Sequence, residues 1–200
     1  MALATFPLLR EAISEPSALG TRAHWKGEYS ADLHRYGEQG DPMLRSLTAA
    51  AHEDSEDDDE EAGQLWFGAS VAAKHADLAA PFCATPGTLV VDVGTGNGEV
   101  LCRLAERQRA CSYIGTDYIA DACVLARRVA TSQRRDWNEQ CAGRGDTVQL
   151  PSIDFIVDDI FRSSLQAGSF DVVLDKGTLD ALSLVVAGGA QGDAVETIRR

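Results

Sequence analysis

Polar and apolar positions change period several times along this chain, and the changes divide it into elements. From Leu19 to Tyr36 the aromatics Trp25, Tyr29 and Tyr36 recur after four and then seven residues, the spacing of one helix face. This predicts an amphipathic helix with Thr21 as its N-cap. Ser70 to Ala80 predicts a second helix. Thr88-Leu89-Val90-Val91-Asp92-Val93 is a β-branched apolar run, expected as a strand buried on both faces. Helix Glu99–Arg107, strand Ser112–Asp117 and helix Ile119–Gln133 follow; the last has apolar residues at 119, 122, 123, 126 and 129. The polar stretch 134–151 reads as a loop, with helical turns as the alternative, and Ile153–Val157 and Phe170–Asp175 as a third and a fourth strand. Strands alternating with helices predict an α/β fold with a parallel sheet and right-handed crossovers.

Composition and charge sharpen this outline. At 200 residues, 44% of them hydrophobic, the chain suits one domain with its own core. Residues 1–18 are expected as a flexible tail and 19–200 as the domain. Eight of the chain's net −13 charges fall in the run Glu53–Glu61, so the rest carries only −5. Such a block cannot be packed, and it predicts a disordered acidic insertion at about 46–62. The overall balance argues against tight, non-specific nucleic-acid binding, which needs a basic footprint. Cys83, Cys102, Cys111, Cys123 and Cys141 are odd in number and lack CxxC spacing, the pattern of reduced intracellular thiols. No apolar run reaches the roughly 18 residues of a membrane span, and Glu11 and Glu15 spoil any secretory signal. A cytoplasmic location, with the nucleus as the alternative, is the expectation. The four histidines show no ligand spacing, so no metal is expected, and no nucleophile–base pair for acyl transfer stands out.

The chemistry is expected at the carboxyl ends of the strands, where parallel sheets bind ligands. Acids gather there: Asp92, Asp117, the pair Asp158-Asp159, and Asp175. Asp92-Val93-Gly94-Thr95-Gly96-Asn97-Gly98 is a glycine turn leaving a strand. Its spacing is GxGxG with a carboxylate two residues earlier. A dinucleotide pyrophosphate would gain nothing from that carboxylate, whereas a ligand with a cationic amine and no phosphate would. S-adenosylmethionine is such a ligand, and Asp92, Gly94, Thr95, Gly96 and Asn97 are its expected contacts. Asp117, 23 residues past Gly94, is placed to accept from both ribose hydroxyls. Asp159, or its rival Asp158, is placed for the adenine amino group; the alternative is a cap on the next segment. Asp175 opens the block Asp175-Lys176-Gly177-Thr178-Leu179-Asp180. It either orients a lysine amine for methyl transfer or caps the following helix while Lys176 points to solvent. Trp66 and Phe67 either face a cationic ligand or seal the sheet edge.

These segments resemble the lysine methyltransferases of translation elongation factor 1-alpha, within the seven-β-strand (class I) methyltransferases. The match runs through Leu19-Gly20-Thr21 with Trp25 and Tyr29, Trp66-Phe67-Gly68, the glycine turn, Gly115-Thr116-Asp117-Tyr118, and Leu174-Asp175-Lys176-Gly177-Thr178-Leu179-Asp180-Ala181. The glycine turn speaks only for class I. The block at Asp175 is more specific, and the first two segments point to the lysine methyltransferase 2 branch. The resemblance implies a Rossmann-like sheet, S-adenosylmethionine as cofactor with Tyr118 beside it, a protein-lysine substrate on elongation factor 1-alpha, and a monomer. It also implies strand order 3-2-1-4-5-7-6, of which only 3-2-1-4 is expected here. The sequence ends at Arg199-Arg200, where the family continues with a helix, a fifth strand and a hairpin. That reads as C-terminal truncation, with Val172, Val173 and Leu174 on an open edge. Rival expectations are a small-molecule or RNA methyltransferase, and a non-catalytic module that binds the cofactor.

Overall fold

A computed structural model describes residues 18–39 and 68–187. The acidic run, Trp66 and Phe67, and nearly all of the expected N-terminal tail lie outside the described residues. After a short turn at Ala18–Gly20 come α1 (Arg22–Gln39) and α2 (Gly68–Ala79). Then β1 (Leu89–Val93), α3 (Glu99–Arg107), β2 (Ser112–Asp117), α4 (Ala120–Arg144), β3 (Ile153–Val157), β4 (Val172–Asp175) and α5 (Thr178–Ala187) follow. Among the described residues the sheet has order β3-β2-β1-β4 and every pair is parallel. This is the Rossmann-like α/β sheet that the alternating pattern predicts.

The register puts the acid-bearing strand ends side by side. Val93 pairs with Thr116 of β2 and with Asp175 of β4, and Asp117 pairs with Val157 of β3. The core lies between the sheet and helices α2, α3 and α4. Val90, Leu101, Leu104, Tyr113, Phe155 and Leu174 are buried in it, each large side chain contributing about 1.5–3 kcal/mol on leaving water. A second cluster, Cys102, Leu125 and Val129, receives Tyr29, Leu33 and Tyr36 from α1 and fixes that helix against α4. All five cysteines are buried and unpaired. On β4, Leu174 is buried while Val173 is 64% exposed; among the described residues that strand pairs with β1 alone.

Two element boundaries differ from expectation. Thr21 does cap α1, its Oγ1 accepting from the His24 amide at 3.3 Å, but the helix starts at Arg22 and runs three residues past Tyr36. More substantially, α4 continues through 134–144, where a loop was expected. Cys141 is the buried apolar position in that extension; polar side chains supply the remaining contacts. The Arg134 guanidinium donates to the Pro151 carbonyl at 3.0 Å and Trp137 Nε1 donates to the Val148 carbonyl at 2.9 Å. Gly145, left-handed at φ 71°, ends the helix. These partners sit 11 to 17 residues downstream, so local periodicity carries no trace of them.

Candidate cofactor and substrate site

The turn between β1 and α3 is built on three left-handed glycines, Gly94, Gly96 and Gly98. At all three, left-handed backbone and close approach coincide, with Phe155 2.7 Å from a Cβ on Gly98. A Cβ on Gly94 would lie 1.9 Å from Thr178 Oγ1, and one on Gly96 would lie 2.6 Å from Tyr29 Oη. The turn is thus pressed from one side by α5 and from the other by α1. Thr178 Oγ1 also donates to the Val93 carbonyl at 2.8 Å, which ties the start of α5 to the end of β1.

A cavity opens over this turn. Gly94, Thr95, Gly96 and Asn97 form its floor, and Asp117 and Tyr118 one wall. Lys176, Gly177 and Thr178 form the opposite wall, and Trp25 and Tyr29 of α1 cover it. The covering rings stack at 6.1 Å, and Trp25 Nε1 donates to the Leu19 carbonyl at 2.7 Å. Arg22 lies 5.4 Å over the Tyr118 ring and donates to the Tyr118 carbonyl at 3.2 Å. The sequence reading missed Trp25, Tyr29, Lys176 and Thr178 as lining residues. Trp25 and Tyr29 stand out in the sequence for helical spacing and for the family resemblance, and neither says which ligand a helix face meets.

Asp117 is 5% exposed. Its Oδ2 accepts from the Gly96 amide at 3.1 Å and its Oδ1 from the Ile119 amide at 2.9 Å. Burial raises its pKa to about 6, against the pull of those backbone bonds. Each oxygen keeps a second lone pair for a hydroxyl donor. Asp92 lies beneath the turn, outside the cavity lining. Its Oδ2 accepts from Thr95 Oγ1 at 2.9 Å, while its buried Oδ1 has no hydrogen-bond partner. Burial raises its pKa to about 7, opposed by the Thr95 bond and the Lys176 charge. Lys176 is itself shifted downward by burial, with Asp92, Glu99 and Asp175 opposing the shift. It faces the cavity, not solvent. Behind the turn, Glu99 and Arg103 form a buried ion pair at 2.5 Å, and Asn97 Oδ1 accepts from the Glu99 amide at 3.2 Å.

Three acids expected at the site do not line this cavity and accept from neighbouring backbone and side-chain groups. Asp158 accepts from the Ser163 and Ser164 hydroxyls at 2.5 and 2.8 Å and from the Ser164 amide at 2.7 Å. Burial pushes its carboxyl up, but these bonds together outweigh that and hold it below the usual range. Asp159 accepts from the Phe161 amide at 3.0 Å and caps the short turn Ile160–Arg162. The chain leaves β3 straight into that turn, whose first amides need acceptors, so both carboxylates serve their own backbone. Asp175 does the same for α5: its Oδ1 accepts from the Thr178 and Leu179 amides at 2.9 and 3.3 Å. It lies outside the cavity lining, although its three successors line it. Trp66 lies outside the described residues.

The donor set suits a nucleoside-bearing organic cation. It combines a glycine turn for close backbone approach, a buried carboxylate with lone pairs to spare, stacked rings over the cavity, and an unmatched buried acceptor below it.

The profile of the Methyltransferase domain family matches residues 84–199, and the chain belongs to that family. It is 29% identical to the protein-lysine N-methyltransferase efm4 of Schizosaccharomyces pombe, over 84% of this chain and 62% of that protein. It is 28% identical to the EEF1A lysine methyltransferase 2 of Danio rerio, over 84% of this chain and 57% of that one. The chain thus spans about three-fifths of the length of these curated relatives. A solved structure, the SAM-dependent methyltransferase from Thiobacillus denitrificans in complex with S-adenosyl-L-homocysteine, is similar with a TM-score of 0.37. That likeness is at 20% identity and covers 74% of this chain and 51% of the other.

Proposed function

We propose that this chain is an S-adenosylmethionine-dependent protein-lysine N-methyltransferase whose substrate is translation elongation factor 1-alpha. The observation that carries this reading is the meeting of two distant segments on one cavity: the turn Gly94–Asn97 below, and Lys176-Gly177-Thr178 across from Asp117. The names of the relatives support the protein-lysine substrate and the elongation factor.

When bound, the cofactor supplies a methyl group activated by a sulfonium. The Gly94–Asn97 backbone would hold its amino-acid portion, with Asp92 contributing charge from beneath, and Asp117 would accept from its ribose. Tyr118 would flank the base. Asp159, whose Oδ1 accepts from the Phe161 amide, would accept from the base amino group through its other oxygen, with Asp158 as its rival. Trp25 and Tyr29 would keep water out and offer π faces to a cation. An incoming lysine must be neutral to attack, and a carboxylate at the rim can take up an N–H and aim the lone pair. Asp175 is that carboxylate. Its Oδ1 is engaged by α5, so the amine would use the other oxygen.

The test is incubation with methyl-labelled cofactor and separate pools of elongation factor and RNA. Label is expected on a lysine of the elongation factor; label in RNA would sink the proposal. Asp175→Asn keeps an Oδ1 acceptor for the cap but removes the charge. It should lower turnover at least about tenfold, the range of a positioned acid–base group, with an unchanged melting temperature. Unaltered turnover would remove Asp175 from the reaction.

A further inference from the structure

A second cleft lies where the far end of α1 crosses α4. It measures about 420 Å³ and is lined by Tyr36, Arg127, Arg128, Thr131, Ser132 and Arg135, with Val124 at its base. Tyr36 stands seven residues beyond Tyr29, about 10 Å further along the α1 axis at 1.5 Å per residue. The cleft is therefore distinct from the cofactor cavity.

Helical spacing builds its basic wall. Arg127, Thr131 and Arg135 follow one another at four-residue intervals on α4, and Arg128 and Ser132 flank them. The stripe is about 12 Å long. The three guanidinium-bearing side chains are exposed, while Ser132 is 6% exposed. The wall is also held in place. Arg127 donates to the Phe155 carbonyl, which leaves further N–H groups on the same guanidinium. Arg135 donates to Ser132 Oγ at 3.0 Å and meets Asp136 at 3.3 Å. A Cβ on Gly37 would sit 3.8 Å from Arg128 Nη1, so that guanidinium rests over the α1 backbone. Among the described residues, no carboxylate lines the cleft.

This is an unusual surface for a chain of net charge −13. Like charges along one stripe repel, and a bound anion would reduce that repulsion. One guanidinium satisfies a planar carboxylate through its two-pronged edge. Three guanidiniums from α4, with the hydroxyls of Thr131 and Ser132 beside them and that of Tyr36 on α1, match a group with more oxygens and more charge. We propose that the α1–α4 cleft is a binding site for a phosphate-bearing anion. Free polyphosphates and nucleotides carry that chemistry, and so does a phosphodiester strand laid along the stripe.

The experiment is calorimetric titration of the full chain with sodium tripolyphosphate at constant ionic strength. It compares the double variant Arg128→Gln/Arg135→Gln with the control Arg109→Gln/Arg144→Gln, which removes the same charge from exposed positions outside the cleft. Arg127 is left intact because it also supports the sheet. The cleft variant should bind at least tenfold more weakly than the parent, and the control within twofold of it. A ten-nucleotide single-stranded RNA forms the second arm. If it binds more tightly than tripolyphosphate with the same sensitivity to the cleft variant, the source is a strand; if more weakly, a compact polyphosphate. Three results would overturn the proposal: no binding of either probe, equal loss in both double variants, or equally tight binding of an octaglutamate peptide.

Discussion

At the residue scale, Asp117 and Asp92 separate two kinds of buried acid. Asp117 lines the cavity and shares its oxygens with two backbone amides; Asp92 lies below the floor with one oxygen unmatched. Asp117→Ala should weaken binding of S-adenosylhomocysteine by more than tenfold, since charge-assisted hydrogen bonds to a ligand are each worth roughly 1.5–3 kcal/mol. Titration calorimetry checks this, and an unchanged affinity would take Asp117 out of the site. The same two groups give a pH dependence whose sign follows from burial. Both pKa values rise above the ordinary aspartate value of 3.8, to about 7 for Asp92 and about 6 for Asp117. The folded chain therefore binds protons more readily than the unfolded chain across that range. The stability these groups contribute is complete below about pH 4 and is lost as pH rises through 6 and then 7. The melting temperature of the ligand-free chain should climb from pH 8 towards pH 5. Asp92→Asn should flatten the upper part of that climb, and an identical profile in the variant would contradict the assignment.

At the element scale, the pieces that cover the site are the ones whose partners lie far away in sequence. Strand β1 was legible because burial on both faces writes a nearly continuous apolar run, and β1, β2 and β3 fall within a residue of their expected limits. Helix α4 was only half legible. Its first half carries an apolar stripe, whereas its second half is held by Arg134 and Trp137 reaching the segment that leads into β3. Trp137→Phe keeps the ring and removes the bond to the Val148 carbonyl. Loss of one such bond costs about 1 kcal/mol, so thermal unfolding should move down by about 2–4 °C for a chain of this size. A shift below half a degree would mean that the bond does not hold the extension. Helix α1 teaches the complementary lesson. Its aromatic spacing announced a helix, but that Trp25 and Tyr29 cover the cavity while Tyr36 edges a second cleft depended on how α1 docks on α4.

At the scale of the whole molecule, the sheet, the glycine turn and α5 act as one unit. Thr178 fits against Gly94 only because β4 lies beside β1, so occupancy of the cavity should stabilise the entire fold. S-adenosylhomocysteine at about one hundred times its dissociation constant adds about 2.7 kcal/mol, a rise of about 5–10 °C in melting temperature. A well-folded sample with no such rise would count against the cofactor reading as a whole, whereas binding without turnover on the elongation factor would count only against the proposed activity.

The sequence by itself determined the strand pattern, the parallel α/β class and the glycine turn, because each is written in neighbours: β-branched runs, alternation with helices, and glycine where φ is positive. It also located the acids at the strand ends. Only the tertiary structure decided which of them line the cavity. Asp117 lines it while also bonding the Ile119 amide, Asp92 lies beneath it, and Asp158, Asp159 and Asp175 bond the backbone that follows them outside the lining. The reason is physical. A carboxylate at a strand end meets two competing donors, the ligand and the first amides of the next turn, and the direction in which the chain leaves the strand decides between them.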